Sequence, residues 1–418
     1  MEIQFLGGAG EVGRSAFLLK DTKNILLDYG AKVSAGITPE FPLVPGRVDA
    51  CVVSHAHFDH TGALPMLYNQ YLPVTFGTKP TMELAELLIE DSFSISKKNN
   101  VRPKFSRTMV NNLMRKYVPY EYHSQIDFSE YAMTLYDAGH ISGSAVTLIE
   151  KARSNRRFVY TGDFKIDPQT LQGSAEVVKS DILMIESTYA TRSHPDRQKL
   201  VKSFVEDVKA TVENGGTALV PCFAVGRAQE IVSILYQNGL IDCTYMDGMA
   251  KKAAEIMMRN PEFTKNKQLL LSAMKNANWI EEHGDRDAAL SVPSVIVTTA
   301  GMLNGGPVLH YITKLGQNSK VFLTGYQVEG TNGRRLIEGK PLLIDERKYR
   351  ISAPTNYYDF SAHASREDIY DYVRRSSPEQ VICIHGDEAN TTELAEQLKL
   401  EGYDAHAPKI GERLKVDF

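Results

Sequence analysis

Three histidines and one aspartate fall within the six positions from His55 to His60, and no other stretch constrains the fold of this chain so tightly. The motif follows the apolar run 50–53, which is typical of a β-strand. Imidazole and carboxylate together suit a borderline divalent ion such as zinc. A polar loop that caps the next helix is the alternative, although such loops rarely hold four ligand-type side chains. The motif therefore predicts a metal site where a strand ends.

The composition is that of a globular protein long enough for two domains. The chain has 418 residues, of which 43% are hydrophobic and 23% charged. No apolar run reaches membrane-spanning length, so we expect no membrane partner, and the strand-like run at 2–6 shows no sign of a targeting segment. The four cysteines lack CxxC spacing, which favours reduced thiols and a cytoplasmic location.

The formal net charge of −4 argues against general electrostatic coating of nucleic acid. A local basic groove would still attract phosphate, and bound zinc would add positive charge that the residue count omits. The charge therefore leaves nucleic acid open as a substrate.

Ligand-type residues recur at the ends of strand-like runs in the first 190 residues. Asp28, His140, Asp163 and Glu186 all stand at or just beyond such ends. The ends of strands in a packed sheet can present several ligands to one cleft. A shared site at one edge of a sheet is therefore expected.

The rhythm of the sequence divides the chain into three parts. Over 191–345 strands alternate with helices, which predicts an α/β domain with a mainly parallel sheet. Over 346–418 histidine-bearing segments return, at His363 and His385. We therefore predict that the middle part is inserted into a first domain made of 1–190 and the C-terminal part.

A single histidine such as His140 or His385 is more often a structural residue than a metal ligand. Both stand beside glycines at strand ends, in a chain that already holds a dense metal motif, and this favours ligation. The full candidate set is Asp28, His55, His57, Asp59, His60, His140, Asp163, Glu186, His363 and His385.

This set, from Asp28 through the His55–His60 motif to His140 and Asp163, resembles the metallo-β-lactamase superfamily. Further stretches resemble its β-CASP branch, the RNA-processing nucleases related to the cleavage and polyadenylation factor endonuclease and to ribonuclease J. These stretches are Glu-Ser-Thr-Tyr at 186–189, 221–230, 301–307, 324–331, and Phe-Ser-Ala-His at 360–363. The compact length resembles single-chain archaeal and bacterial members.

The resemblance implies a four-layered αββα sandwich with a dinuclear metal site at one sheet edge and an inserted β-CASP α/β domain. By motif, two zinc ions are implied, with Asp163 bridging them. The implied ligands are His55, His57 and His140 for one ion, and Asp59, His60 and His385 for the other. Asp28 would orient ligands rather than bind directly.

The resemblance also implies a zinc-dependent ribonuclease acting on single-stranded RNA. A hydroxide activated by the two ions would attack phosphorus and leave 5′-phosphate and 3′-hydroxyl ends. His363 is the candidate general acid, with Glu186 orienting it and Asp163 as a further catalytic residue. Endonuclease and 5′→3′ exonuclease modes both stay open, and a homodimer is implied by resemblance only.

Substrate contacts are expected beyond the metal ligands. Arg227 follows Gly226 where a strand meets a helix, so a guanidinium and free backbone N–H groups could meet one phosphate, although helix capping is an equal alternative. Ser361 and His363 belong to the implied substrate-binding motif.

Two other functions remain as alternatives. A non-catalytic RNA-binding subunit would have lost ligands, whereas every ligand position here is occupied. A small-molecule metallo-hydrolase, acting on a thioester or lactam, would leave the middle domain and His363 without a role.

Overall fold

The computed structural model describes residues 1–33, 38–69, 71–152, 154 and 156–418. The elements before the predicted insertion are β1 (Glu2–Gly7), β2 (Ala16–Lys20), β3 (Asn24–Leu27), β4 (Ala50–Val52), α1 (Phe58–Thr61), β5 (Val74–Gly77), α2 (Lys79–Lys98), α3 (Arg107–Lys116), β6 (Tyr117–Pro119), β7 (Gln125–Phe128), β8 (Tyr131–Asp137), β9 (Ala145–Lys151), β10 (Arg157–Tyr160) and β11 (Ile182–Glu186).

The middle of the chain alternates between helices and short strands. Its elements are α4 (Arg197–Glu213), β12 (Thr217–Pro221), α5 (Arg227–Gln237), β13 (Thr244–Met246), α6 (Met249–Arg259), α7 (Lys267–Asn276), β14 (Asn278–Trp279), α8 (His283–Leu290), β15 (Ser294–Thr298), α9 (Val308–Ile312), β16 (Lys320–Leu323), α10 (Asn332–Ile337), β17 (Leu342–Ile344), β18 (Arg347–Tyr349) and β19 (Thr355–Tyr357). The C-terminal elements are α11 (Arg366–Ser376), β20 (Gln380–Ile384), α12 (Glu388–Leu400), β21 (Asp404–His406) and β22 (Arg413–Lys415).

Two mixed sheets face each other and form the sandwich. Their strand orders are β22-β1-β2-β3-β4-β5-β6 and β21-β20-β11-β10-β9-β8-β7. Buried apolar side chains from both sheets, among them Phe5, Phe17, Met133 and Phe158, fill the space between them. Helices α1 to α3 cover the outer face of the first sheet, and α11 and α12 cover that of the second. This is the αββα arrangement that the sequence predicts.

The C-terminal segment returns to complete both sheets. Strand β20 pairs in parallel with β11, with Leu183 opposite Val381, and β22 pairs antiparallel with β1, with Ile3 opposite Leu414. The middle of the chain is thus inserted between two parts of one sandwich.

The inserted part is built on a parallel sheet in the order β14-β13-β15-β12-β16-β19. Every strand pair in this sheet is parallel, as the alternation of strands and helices predicts. The central strands β12 and β15 are buried along their whole length because helices cover both faces.

The last strand of this sheet lies beyond the predicted domain boundary at residue 345. Strand β19 pairs with β16, with Leu323 opposite Tyr357. We therefore propose that the inserted domain extends to about residue 357, with the strand that follows α11 returning to the sandwich. Among the described residues, no helix is long and apolar enough to span a membrane.

Candidate metal centre

The His55–His60 motif leaves strand β4 and folds directly into the single helical turn α1. The backbone carbonyl oxygen of His57 accepts hydrogen bonds from the N–H groups of His60, at 2.9 Å, and Thr61, at 3.0 Å. This turn brings the four ligand-type side chains to the same side of the loop, instead of to alternate faces as in a strand. The chain passes so close to Gly30 that a Cβ there would lie 1.7 Å from the Asp59 carbonyl oxygen.

The other candidate ligands follow strands of the second sheet. His140 lies after β8, Asp163 after β10, and His385 immediately after β20. His385 has φ +49° and Asp28, after β3, has φ +57°. Left-handed backbone is uncommon for residues other than glycine. At these two positions it turns the chain sharply at the end of a strand that leads into the centre.

A first group of four ligand atoms gathers His55, His57, His140 and Asp163. The Nδ1 atom of His57 lies 3.2 Å from His55 Nε2 and 3.1 Å from His140 Nε2. Asp163 Oδ2 lies 3.5 Å from His55 Nε2 and 3.9 Å from His140 Nε2. Ligands about 2.0–2.1 Å from a tetrahedral zinc are separated by roughly 3.4 Å, so these spacings suit one ion.

A second group gathers Asp59, His60 and His385. His385 Nε2 lies 3.4 Å from Asp59 Oδ2, and the other oxygen of Asp163, Oδ1, lies 3.4 Å from His60 Nε2 and 3.0 Å from His385 Nδ1. The two oxygens of Asp163 therefore face different groups, which is the arrangement of a bridging carboxylate.

Two buried atoms of the centre lack the hydrogen bonds that such atoms require. Asp163 Oδ1 and His385 Nε2 have no hydrogen-bond partner among the described residues. A buried polar atom without a partner is costly, and a bound cation would satisfy either atom. The donor set, imidazole nitrogen with carboxylate oxygen, suits a divalent metal such as zinc, so the residues present fit such a metal.

The charges at the centre also call for cations. Burial, reinforced by neighbouring imidazoles, lowers the pKa of His55 and His140 well below the usual value, which leaves them neutral and able to ligate. Burial likewise opposes the charged form of His385, yet Asp163 and Asp59 outweigh it and raise the pKa to about 10. The carboxylates thus attract positive charge strongly, whether from protons or from metal ions.

Asp28 binds groups around the centre through both carboxylate oxygens. Its Oδ2 accepts from His60 Nδ1 at 2.7 Å, from the Ser54 hydroxyl at 2.6 Å and from the Tyr160 hydroxyl at 2.6 Å, and its Oδ1 accepts from the Ser54 N–H at 2.7 Å. Because His60 Nδ1 carries the donated proton, its Nε2 lone pair faces the second group.

His363 and Glu186 form a pair at the side of the centre. His363 Nδ1 lies 3.0 Å from Glu186 Oε2 and 3.7 Å from Asp163 Oδ2. Burial opposes the charged form of His363, but Glu186 and Asp163 outweigh it and raise the pKa. The Phe164 N–H, which donates to Glu186 Oε1 at 2.9 Å, holds that carboxylate in place. The pair therefore holds a proton beside the ligands.

Comparison with known proteins identifies matching family models along most of the chain. The Beta-Casp domain matches residues 228–336, and the "Zn-dependent metallo-hydrolase RNA specificity domain" matches 348–408. A model described as "Anti-Pycsar protein Apyc1" matches residues 1–212. The metallo-hydrolase model spans His363 and His385, and its description supports a divalent metal at the centre.

Curated relatives cover almost the entire chain. A "Probable RNase MJ4" from Methanocaldococcus jannaschii is 36% identical over 100% of both chains, and an "RNase aCSPSF2" from Saccharolobus solfataricus is 35% identical over 99% of this chain and 85% of that protein. The "Transcription termination factor FttA" of Methanocaldococcus jannaschii is 32% identical, covering 96% of this chain and 69% of the relative.

The chain belongs to the β-CASP ribonucleases of the metallo-β-lactamase superfamily. This confirms the expected family and enzyme class, a metal-dependent ribonuclease. A solved structure titled as a protein of unknown function from Enterococcus faecalis V583 shares the fold, with a TM-score of 0.64 at 13% identity over 99% of both chains.

In this β-CASP protein, two predicted substrate residues differ in their surroundings. Arg227 is only 9% exposed, at the start of α5, and its Nη1 has no hydrogen-bond partner among the described residues. Burial, together with the nearby Arg197, lowers the pKa of Arg227 to about 10. Ser361, in contrast, is engaged within its own loop, where its hydroxyl oxygen accepts from the His363 N–H at 3.2 Å.

Helix α5 begins against the metal centre. A Cβ on Gly226 would lie 2.6 Å from the Ile141 side chain, which neighbours His140, and the φ of +85° at Gly226 also favours glycine. The start of this helix, with Arg227, is therefore brought directly beside the loop of a predicted ligand.

Sequence reasoning missed two residues that hold the His363 loop. The buried Lys165 donates from Nζ to the His363 carbonyl oxygen at 3.3 Å, and the ring of His194 contacts the same oxygen from Nε2 at 3.2 Å. Lys165 stands two residues after Asp163, and this closeness to a predicted ligand was the available signal. His194 stands in a polar loop that gave none.

Proposed function

We propose that this protein hydrolyses phosphodiester bonds of single-stranded RNA at two zinc ions and leaves 5′-phosphate and 3′-hydroxyl ends. The observation that carries the proposal is the position of Asp163 between two candidate ligand groups, with Oδ2 at 3.5 Å from His55 Nε2 and Oδ1 at 3.4 Å from His60 Nε2. Asp163 Oδ1 and His385 Nε2 are also buried and without a hydrogen-bond partner in the described chain. His55, His57 and His140 would hold one ion, and Asp59, His60 and His385 would hold the other.

Zinc bound in these groups would supply a water-derived nucleophile at neutral pH and would offset charge on the phosphoryl oxygens. The side chains of the centre fix where that chemistry takes place. Asp28 orients His60, and the Ala362 carbonyl orients His140 by accepting from its Nδ1 at 2.9 Å. Each of these hydrogen bonds leaves the Nε2 lone pair directed at the centre.

His363 supplies the proton that the leaving ribose oxygen needs. Its Nδ1 is engaged by Glu186, whereas Nε2 makes no hydrogen bond to any described residue. The raised pKa keeps the ring protonated, so Nε2–H is available as a general acid. Lys165 and His194 keep the loop in this position by binding the His363 carbonyl oxygen.

Arg227 is the proposed contact for an RNA phosphate. The guanidinium is buried, and its Nη1 is unsatisfied by described residues, so an anion would recover the lost hydrogen bond. The partial positive charge at the start of α5 adds to the attraction for phosphate. Arg227 lies close to the His140 loop, because the preceding residue, Gly226, packs against Ile141, which follows His140.

Relatives support RNA as the substrate, because two of those at 35–36% identity are named RNases. A non-catalytic subunit is the less favoured alternative, because groups of histidine and carboxylate side chains that could hold a metal ion support an active centre. Cytoplasmic location and homodimer formation stay predictions.

The test uses zinc-loaded protein and single-stranded RNA labelled at either end, with a 5′-phosphate or a 5′-hydroxyl. We expect new 5′-phosphate and 3′-hydroxyl ends, and we expect cleavage to persist when one 2′-deoxynucleotide stands at the scissile position. Internal fragments would indicate endonuclease action, and release of mononucleotides from the 5′ end would indicate exonuclease action. Products with a 2′,3′-cyclic phosphate, or a block by the single deoxynucleotide, would overturn the mechanism.

A further inference from the structure

Three exposed aromatic side chains stand at one edge of the inserted sheet. Phe223 is 42% exposed, Tyr326 is 48% exposed and Tyr357 is 40% exposed. Phe223 follows β12, Tyr326 follows β16, and Tyr357 ends β19, and these three strands are neighbours in the sheet. Because the strands are parallel, their C-terminal ends share one edge. We call these three residues the aromatic band.

The backbone beneath the aromatic band is held in place. The buried Gln327 donates from Nε2 to the carbonyl oxygens of Gly325, at 2.9 Å, and Gly301, at 3.3 Å, and so ties two strand-end loops together. A Cβ on Gly325 would lie 3.8 Å from the Phe223 ring, which shows how closely the β12 and β16 loops approach. The rings are therefore exposed on a fixed base, as a preorganised binding surface requires.

The aromatic band is continuous with the metal centre. The Tyr189 ring lies 6.1 Å from the His363 ring, and the Arg192 guanidinium lies 5.7 Å from the Tyr189 ring centroid. Arg192, which is half exposed, donates from Nη2 to Asp359 Oδ2 at 2.8 Å, and Asp359 stands two positions after Tyr357. At the other end of the band, Arg227 follows Phe223 by four positions. A path of aromatic and cationic groups thus leads from the general acid to the sheet edge.

We propose that Phe223, Tyr326 and Tyr357 stack the bases of the RNA strand that enters the metal centre, while Arg192 and Arg227 meet its phosphates. This inference rests on the proposed ribonuclease function. Adjacent strands are about 4.8 Å apart, a spacing that consecutive bases of a single strand can follow. Every base has a π-face, so the aromatic band binds RNA with little sequence preference.

Trp279 and most other aromatic residues do not belong to this surface. Trp279 is partly buried against the core of the inserted domain, and its Nε1 donates to the Met274 carbonyl oxygen at 2.9 Å. The proposed occupant is RNA rather than a protein because cationic groups flank the aromatic band and because the path ends at the phosphodiester-cleaving centre.

The test compares steady-state cleavage of one RNA by the wild-type enzyme and by Phe223→Ala and Tyr326→Ala. Loss of one stacked base is worth about a 5- to 150-fold change in affinity, so we expect KM to rise by that factor while kcat is retained. Phe223→Trp and Tyr326→Phe should keep the wild-type KM. The control is Tyr71→Ala, which removes an exposed tyrosine just before strand β5 of the sandwich. This variant should keep the wild-type KM.

A second series places a single abasic nucleotide at successive positions of the RNA. At one or more positions the wild type should lose affinity, and Phe223→Ala or Tyr326→Ala should lose much less from the same change. Equal KM values for the wild type and the alanine variants, or equal sensitivity to abasic sites, would refute the proposal that the aromatic band stacks RNA bases. A wild-type enzyme that does not cleave RNA would instead overturn the proposed function, so the two failures are distinct.

Discussion

The metal centre lies at strand ends of the two sandwich sheets, and the aromatic band lies at strand ends of the inserted sheet. The two regions are built in opposite ways. At the centre, most side chains are buried, and polar partners such as Asp28 and Glu186 hold the imidazoles at defined atoms. In the aromatic band, the rings are 40–48% exposed, and only the backbone beneath them is held. Phosphoryl chemistry needs fixed charges, whereas a strand of variable sequence needs a surface that tolerates any base.

This difference predicts how variants separate. Changes at the metal centre should abolish or slow the chemical step, and changes along the RNA path should weaken binding. A variant at the metal centre that changes KM alone, or a variant on the proposed RNA path that changes kcat alone, would contradict this division between chemistry and binding.

The largest effect is expected for His57→Ala and Asp59→Ala, one in each ligand group. Each variant removes one donor atom from a candidate ligand group, so cleavage of single-stranded RNA should fall to background. Zinc content and RNA cleavage are measured together, with circular dichroism as a check on folding. A folded variant that retains full activity would refute this metal site. The exposed Asp127→Ala is a matched control.

The next largest effect is expected for His363→Ala. Loss of a general acid slows catalysis by roughly 10²–10⁴-fold, because the ribose oxygen must then leave without a proton. Zinc content should stay at the wild-type level if His363 Nδ1 binds Glu186 Oε2, from which it lies 3.0 Å, and not a metal ion. His363 also stands in a group with Asp163, Glu186 and His385 that could hold an ion, so zinc content distinguishes the two roles. Zinc analysis and single-turnover rates give the answer. Loss of zinc would show that His363 is a ligand.

A smaller effect is expected for Asp28→Asn. Loss of an outer hydrogen-bond partner costs about 10- to 100-fold in metal affinity, and Asp28 is the partner of His60 Nδ1. Competition with a chelator measures the affinity. Asp127→Asn, at an exposed position, serves as the control and should leave zinc affinity unchanged. Unchanged affinity in Asp28→Asn would mean that Asp28 only stabilises the fold.

An effect of the same size as that of Asp28→Asn, but on RNA binding instead of metal affinity, is expected for Arg227→Ala. Removing a charge-assisted hydrogen bond costs about 10- to 100-fold in binding, so KM should rise with zinc content unchanged. Arg227→Lys should recover little, because an ammonium cannot offer the planar guanidinium fork. Arg107→Ala, at an exposed pair with Glu90, is the control. A wild-type KM for Arg227→Ala would restore the purely structural reading of this residue.

The sequence predicts the metal centre far better than it predicts the RNA path. Ligand residues are of few types, and the dense run from His55 to His60 identifies them. Strands β4, β8, β10 and β20, which precede the candidate ligands, can be located from apolar runs. The spacing of residues in the sequence does not show which distant strands pair. The structure shows this pairing, above all that of β20 with β11.

Short polar strands and surface exposure escape sequence reasoning. Strand β19 reads Thr-Asn-Tyr, and no apolar run marks it in the sequence; its pairing with β16 is visible only in the structure and is the reason for the later boundary proposed above. The chain has many aromatic residues, and nothing in their spacing distinguishes the exposed Phe223 from the buried Phe204. Partner groups such as His194 are equally hidden, because their contacts cross more than a hundred positions.

The most direct test of the central claim is a crystal structure of the zinc-loaded protein with anomalous data collected at the zinc edge. Two peaks per chain are predicted, one among His55, His57 and His140 and one among Asp59, His60 and His385, each within ligand distance of Asp163. A single peak, or two peaks that lie away from these side chains, would contradict the account.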